Sequence, residues 1–477
     1  MNKKILKILL LLFVSDLCFS APNILLIIGD DMGNETLAAY GLNEDVGITP
    51  TLDQMADEGI LFSNFWSQPV CSPTRATALT GRYGFRTGIG GAVPSTSRGG
   101  VLPDTPRLPA WATAEGRTPG MAGSMGTRVG TNTTHGLFLN EFTLPMAFDN
   151  HLNYKTAAIG KWHLALADNG WTDHPNLVGF DHYSGSIRGT TPSFFSWIQT
   201  INGTNTGVTG YAPDRKVNDA IEWIEDQGDD PWFMWFAFNL PHTPLHLPPE
   251  QFINSDFSHM DRDAEYSYDM GPEFFKAMVE SMDIEIGKLL TSISPEVLAN
   301  TYVIFIGDNG TLNDLVLPPF REGFAKNTIY QGGINVPLIV IGPDIDNGRS
   351  DALINSTDIF STVMEMAGIN PEEAVPEDIV TDSVSFLPIL KNLNTSSQRE
   401  WIYADSFSGG TVGIPDADYA IRDNRYKFIR YNMEEAFFDL LEDPYEYENL
   451  LEDQLTHEQK NTYNYLKGKV ESLRDSR

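Results

Sequence analysis

Cys71-Ser72-Pro73-Thr74-Arg75-Ala76-Thr77-Ala78-Leu79-Thr80-Gly81-Arg82 sets a cysteine at the start of a predicted helix. Pro73 suits the first helical turn, where a missing N–H costs nothing, and Ala76 to Leu79 continue the helix. A helix that begins here aims backbone N–H groups at Cys71 and favours an anion beside it. Arg75 lies one turn in, where its guanidinium can reach back toward that anion.

Working outward, Thr51 to Glu58 reads as a helix, and Ile60 to Trp66 as a strand that delivers the chain to Cys71. Asn23-Ile24-Leu25-Leu26-Ile27-Ile28 is an apolar run suited to a strand buried on both faces, and it leads into Gly29-Asp30-Asp31. Two adjacent carboxylates repel unless a cation sits between them; alone, the pair also fits a solvated turn. Downstream, Tyr154 to Ile159 forms a strand pattern that ends in Gly160-Lys161-Trp162-His163-Leu164. Lys161 and His163 share a side if the chain there is extended, and such a pair can hold an anion and move a proton.

Pro231 to Phe238 is another apolar strand, ending in Asn239-Leu240-Pro241-His242-Thr243-Pro244, where two prolines restrict the backbone that aims His242. His246 lies nearby. Tyr302 to Ile306 ends in Gly307-Asp308-Asn309-Gly310, and Val336 to Gly342 is a further strand. Helices are expected over Val217 to Glu225, over the stripe Phe275, Met278, Val279, Met282, Ile286 and Leu289, and over Asp358 to Ala367. Strands alternating with helices indicate an α/β sheet, whose ligands gather beyond the strands' carboxyl ends. Asp30, Asp31, Lys161, His163, His242, Asp308 and Asn309 all fall there, which predicts one pocket. Asp30, Asp31, Asp308 and Asn309 are hard oxygen donors, suited to Ca²⁺ or Mg²⁺. Arg75, Lys161, His163 and His242 would surround an anion and its developing charge.

The 477-residue chain carries a formal net charge of −32, which excludes nucleic acid binding by counterion release. The same field opposes a polyanionic substrate except at a locally basic site or in screening salt. Residues 1–20 read as a signal peptide: Lys3, Lys4 and Lys7 flank the apolar run Ile8 to Val14, and Ser20 and Ala21 suit cleavage. The run is too short to span a bilayer, so the expectation is an exported protein, periplasmic or secreted, with no transmembrane anchor. Loss of that segment takes Cys18 with it and leaves Cys71 without an intrachain disulfide partner, hence buried, modified or functional.

Residues 84–138, rich in Gly, Thr, Ser and Pro with Arg98, Arg107, Arg117 and Arg128, read as a substrate-specificity insertion. Residues 21–390 are expected to form the catalytic domain and 391–477 a C-terminal α+β subdomain. The latter holds strands at Trp401 to Ala404, Tyr419 to Arg422 and Tyr426 to Ile429, the last two forming a hairpin, and a helix from near His457.

The Cys71 block resembles the signature of the type I sulfatases, in which Pro and Arg follow the cysteine at these spacings before Leu-Thr-Gly. Gly160-Lys161-Trp162-His163, Pro241-His242-Thr243-Pro244, Gly179-Phe180-Asp181, the segment Lys326 to Pro337, and Phe438 to Leu450 are similar to further landmarks of that family. Two positions depart from its pattern: Gln331 stands where a Glu commonly precedes two glycines, and Asn335 where an Arg commonly precedes Val-Pro.

The resemblance implies an alkaline-phosphatase-like fold: a large α/β domain with a mostly parallel central sheet flanked by helices, plus a smaller domain with an antiparallel sheet and a helix. It implies that a maturation enzyme, the formylglycine-generating partner, oxidises Cys71 to formylglycine, whose hydrated aldehyde attacks sulfur. It places Cys71 with Asp30, Asp31, Asp308 and Asn309 around the cation, and makes Lys326 and His242 ligands of the sulfate that assist the leaving oxygen. In the same scheme His163 removes the proton that releases sulfate, and Arg75 and Lys161 hold the formylglycine. A sulfated glycan or derived oligosaccharide is the implied substrate. Two other readings stay open on sequence: a phosphate or phosphonate ester hydrolase of the same superfamily, and a non-catalytic sulfated-glycan binder.

Overall fold

A computed structural model describes residues 21–94, 136–151, 154–260, 270–407 and 417–476. The expected signal peptide and most of the expected insertion, with its four arginines, lie outside them.

A ten-stranded sheet organises the large part of the molecule. Its order is Gly348–Ser350, Ile60–Phe62, Leu338–Ile341, Thr301–Gly307, Asn23–Gly29, Trp232–Ala237, Lys155–Lys161, His182–Ser186, Ser196–Ile201 and Thr204–Thr209. The strands from Thr301–Gly307 to His182–Ser186 run parallel to one another. Strand Leu338–Ile341 is antiparallel to both its neighbours, and the last three strands form an antiparallel ribbon.

Alternation along the central strands explains the layers. Ile24, Leu26 and Ile28 join Phe233, Trp235, Ile304 and Ile306 on one face, under Ala76 and Leu79 of helix Cys71–Thr80 and Ile359 and Val363 of helix Asp358–Met366. Leu25 and Ile27 join Met234, Phe236, Val303 and Phe305 on the other, under Met278, Met282 and Ile286 of helix Gly271–Ser292. Both faces are covered, which is why these strands read as continuous apolar runs.

The expected strand from Ile60 to Trp66 is broken in two. Ser63 and Asn64 turn aside to bond Ser350 and Asp351, so Phe65–Trp66 leaves the large sheet and pairs with Ile354–Asn355 instead. Gly160 is needed for close packing of strands: its φ is 102°, and a Cβ there would lie 1.9 Å from the Ala237 carbonyl oxygen.

The smaller sheet is antiparallel, with strands Ile402–Ser406, Asp418–Arg422, Tyr426–Tyr431 and Glu434–Asp439 in that order. Asn432 and Met433, at φ 51° and 70°, make the two-residue turn that joins the last pair. On one side it packs on helix His457–Asp475 through Leu466 and Val470. On the other, Ile402, Ala420, Ile429 and Phe438 share a core with Trp66, Ile334 and Leu353 of the large part.

Candidate active site

Four strand ends meet the start of one helix. Backbone bonds lock them together: Asp30 N donates to Leu240 O (2.9 Å), Asp308 N to Gly29 O (3.0 Å) and Met32 N to Asn309 O (2.9 Å). Cys71 opens helix Cys71–Thr80 with Pro73 in its first turn, as expected, and its side chain is buried beside both carboxylates that follow the first strand. Its Sγ lies 3.3 Å from Asp30 Oδ1, 3.8 Å from Asp31 Oδ1 and 3.9 Å from Lys326 Nζ.

The carboxylates are paired. Lys161 Nζ holds both oxygens of Asp30, at 2.7 and 2.6 Å. Lys326 Nζ donates to Asp31 Oδ1, and His242 Nε2 stands 3.6 Å from Asp31 Oδ2. Arg75 does not project freely toward an anion: Nε and Nη2 donate to Asp308 Oδ2 at 3.1 and 2.7 Å, and Nη1 to the Lys161 carbonyl at 2.8 Å. Its place is to tie the nucleophile helix to two strand ends.

His163 reaches the pocket by a different route from the one expected. The chain is not extended there, since His163 has φ 62°. Its Nε2 lies 2.9 Å from the Val93 carbonyl, which can only accept, so Nε2 carries the proton and the buried Nδ1, with no hydrogen-bond partner among the described residues, presents a lone pair. Ser72 supports this turn, donating to the His163 carbonyl (2.8 Å) and accepting from Val93 N (3.0 Å). Sequence reading passed over Ser72, although it sits inside the Cys71 block; nothing in its type marks it apart from its neighbours.

Burial sets the electrostatics. It pushes the Cys71 thiol well up, with Asp308 adding to the effect and Lys161 and Lys326 opposing it. Burial also pushes Asp31 up, but Lys326, His242 and Lys161 together hold it well below the usual carboxylate range. His242 is drawn down to about 4, by burial first, with Asp31 opposing.

The donor set fits a hard divalent cation. Donor atoms of Asp30, Asp31, Cys71 and His242 lie within 4.8 Å of one another. Asp31 Oδ2 and Asn309 Oδ1 are buried oxygens with no hydrogen-bond partner among the described residues. Asn309 Nδ2 donates to Asp31 Oδ1 and to the Gly310 carbonyl, both at 2.9 Å, which leaves Oδ1 as the atom free to coordinate. Both oxygens of Asp308 are engaged, since Arg75 holds one and the Asp31 N–H donates to the other at 3.2 Å, as both oxygens of Asp30 are by Lys161.

The two departures lie behind the site. Gln331 Oε1 accepts from Trp66 Nε1 (2.9 Å), while its backbone N–H donates to Glu446. Glu446 supplies the carboxylate that position 331 lacks and pairs with Lys427 at 2.6 Å. Asn335 donates to the Ser63 carbonyl at 3.1 Å. His246 packs among Phe194, Phe195 and Tyr211, with Nε2 3.3 Å from the Tyr211 hydroxyl, and makes no contact with the cluster.

Comparison with known proteins agrees with this geometry. The sulfatase family model matches residues 22–369, and the model for the C-terminal part of N-sulphoglucosamine sulphohydrolase matches residues 321–476. The chain is 25% identical to an uncharacterized sulfatase, YdeN, of Escherichia coli (strain K12), over 87% of this chain and 73% of that one. It is 27% identical to N-acetylgalactosamine-6-sulfatase of Homo sapiens, over 87% and 74%. Among solved structures, Ps i-CgsB in complex with k-i-k-neocarrahexaose superposes with a TM-score of 0.74 at 22% identity, over 95% of this chain and 93% of that one. BT4656, solved with its substrate D-glucosamine-2-N,6-O-disulfate, superposes at 0.69 and 19% identity, over 96% and 99%. With the cysteine, carboxylates and cations gathered at the carboxyl end of a mostly parallel sheet, the chain belongs to the formylglycine-dependent sulfatase family of the alkaline-phosphatase-like superfamily and is a sulfuric ester hydrolase.

Proposed function

We propose that the protein is an exported sulfatase acting on a sulfated glycan or an oligosaccharide derived from one. In this reading Cys71 is matured to formylglycine by a formylglycine-generating enzyme, and Asp30, Asp31, Asp308, Asn309 and the matured side chain hold Ca²⁺, or Mg²⁺ in its place. The observation that carries it is the position of Cys71: buried, at a helix N-terminus, in contact with two carboxylates and a lysine. The substrate class is supported by the sulfated sugars named for its relatives and structural neighbours. Export rests on the leader-like pattern of residues 1–20; among the described residues no helix is long and apolar enough to cross a membrane.

Bound in this cluster, the cation would supply Lewis acidity, polarising the sulfate ester and stabilising negative charge on the attacking oxygen. The protein's own groups do the rest. Lys326 and His242 sit on the Asp31 side, where they bind the sulfate and steady the leaving oxygen. His163 Nδ1 offers a buried lone pair that can take a proton. Lys161 and Arg75 fix Asp30 and Asp308 and so keep the nucleophile's surroundings rigid.

The deciding experiment is mass spectrometry of the peptide spanning Cys71, from protein made with an active maturation enzyme. A loss matching conversion of thiol to aldehyde is expected. An unmodified thiol would return the argument to a sulfated-glycan binder.

A further inference from the structure

Arg188 follows strand His182–Ser186, whose neighbour is the strand that ends in Lys161. The two chains continue side by side: Trp162 N donates to Ser186 O (2.9 Å) and His163 N to Ile187 O (3.1 Å). Gly189 then lies against the His163 imidazole, so closely that a Cβ at 189 would fall 2.3 Å from its Cε1 and Nε2. Arg188 therefore sits between a residue bonded to the backbone of His163 and a residue touching its ring. Its guanidinium carbon stands 5.9 Å from the centre of the Trp171 ring, within cation–π range.

Among the described residues no hydrogen bond or ion pair reaches this guanidinium. Other arginines of the core have their donors taken up: Arg75 holds Asp308, Arg86 holds Asp382, Arg399 holds Asp358, and Arg422, with no carboxylate partner among the described residues, donates to Asn64 and to the Asp423 and Asn424 carbonyls. The chain has 64 acidic residues against 32 basic ones, so an arginine without a carboxylate is not short of candidates. Arg188 is half-buried, and burial alone pulls its pKa down, with no carboxylate raising it. Partial burial weakens the hydration of this cation, so its donors gain from a ligand that offers a matching anion. Ser186 Oγ, buried and without a hydrogen-bond partner among the described residues, adds a second unused polar group on the same strand end.

We propose that Arg188, braced on Trp171, is a specificity-determining residue that binds a second anionic group of the substrate, a sulfate or carboxylate on the sugar that carries the scissile ester or on its neighbour. The guanidinium fork matches either group bidentately, and its place beside His163 puts that group one sugar ring or less from the reacting sulfate. In a strongly acidic molecule, an isolated cation at the pocket favours ligands with more negative charge than the scissile ester provides.

The proposal rests on the sulfatase reading above, and the test separates the two. Hydrolysis of 4-methylumbelliferyl sulfate by the matured wild type tests that reading. Binding of paired sugars, measured by calorimetry on the same protein, tests Arg188. One pair is galactose 6-sulfate against galactose 2,6-disulfate; the other is a 6-sulfated disaccharide with glucose against the same disaccharide with glucuronate. The wild type should bind the doubly charged member of at least one pair roughly tenfold or more tightly. R188M should bring that ratio near one, and R188K should restore part of it, since lysine keeps the charge without the fork. Discrimination in the first pair identifies a second sulfate and in the second a carboxylate. Equal binding within both pairs by wild type, or an unchanged ratio in R188M, would overturn the proposal.

Discussion

His163 and His242 share a pocket but carry their protons on opposite ring nitrogens. His163 donates from Nε2 to the Val93 carbonyl, whereas His242 has Nδ1 2.9 Å from the Thr243 carbonyl and turns Nε2 toward Asp31. Replacing His242 with Ala should lower kcat by about 10²- to 10⁴-fold, the usual range for a lost proton-transfer group. Metal content, read by plasma mass spectrometry, should stay at the wild-type level; loss of the cation would make His242 a ligand instead. Behind the site, Lys427 and Glu446 form an ion pair with both side chains buried. Lys427→Met strands the carboxylate and should cost about 3–5 kcal/mol in urea unfolding, with the added change Glu446→Gln recovering part of it. That pair was not legible in the sequence, because a strand residue and a loop carboxylate 19 positions apart show no pattern until the smaller sheet is folded.

At the level of elements, the parts that were legible are those whose burial is two-sided. The runs at Asn23, Trp232 and Thr301 have every residue buried, and each declared itself as a strand. Ser196–Ile201 and Thr204–Thr209 did not, because the ribbon they form is largely polar and its outer strand has no buried residue. Asp30, Asp31, Lys161, Asp308 and Asn309 lie at strand carboxyl ends as expected, but their partners could not be read. Sequence could pair Asp30 with Asp31 and could not show that Lys161 and Lys326 divide them. It turned Arg75 toward an anion beside Cys71, whereas Asp308 takes it. The final helix offers a test of how the smaller sheet is held. Leu466 is fully buried against Phe428 and Phe437, so Leu466→Ala should destabilise the protein by about 2–5 kcal/mol, read from denaturant midpoints. An effect below 1 kcal/mol would mean that the helix is not part of the cooperative unit.

For the whole molecule, buried carboxyls decide how stability follows pH. Burial raises Glu35 to about 7, Asp283 to about 6, Glu285 to about 8 and Asp405 to about 7. In the unfolded chain such groups ionise near 4. Through these groups the folded protein holds protons between about pH 4 and 8 that the unfolded chain has released, so their contribution to stability falls as pH rises, whereas His174, His242 and His246, drawn down to about 4 by burial, contribute the opposite slope between about pH 4 and 6.5. Above about pH 6.5, where the histidine slope has ended, Tm should fall toward pH 8, and Asp405→Asn should reduce the fall; a flat profile in the wild type over that window would contradict these assignments. The net charge of −32 adds self-repulsion, so Tm should also rise as salt increases from about 0.01 to 0.5 M. Cys71 itself is 2% exposed, in a helix packed into the core on one face of the large sheet. Any enzyme that must grip this stretch as an open peptide is thus in a race with folding, and the winner is decided once per molecule. Purified folded protein with a thiol at position 71 should stay a thiol when the maturation enzyme is added, while the same chain in urea-unfolded form should be converted. A preparation's specific activity would then be a record of timing during synthesis, not of the strength of any contact in the finished protein.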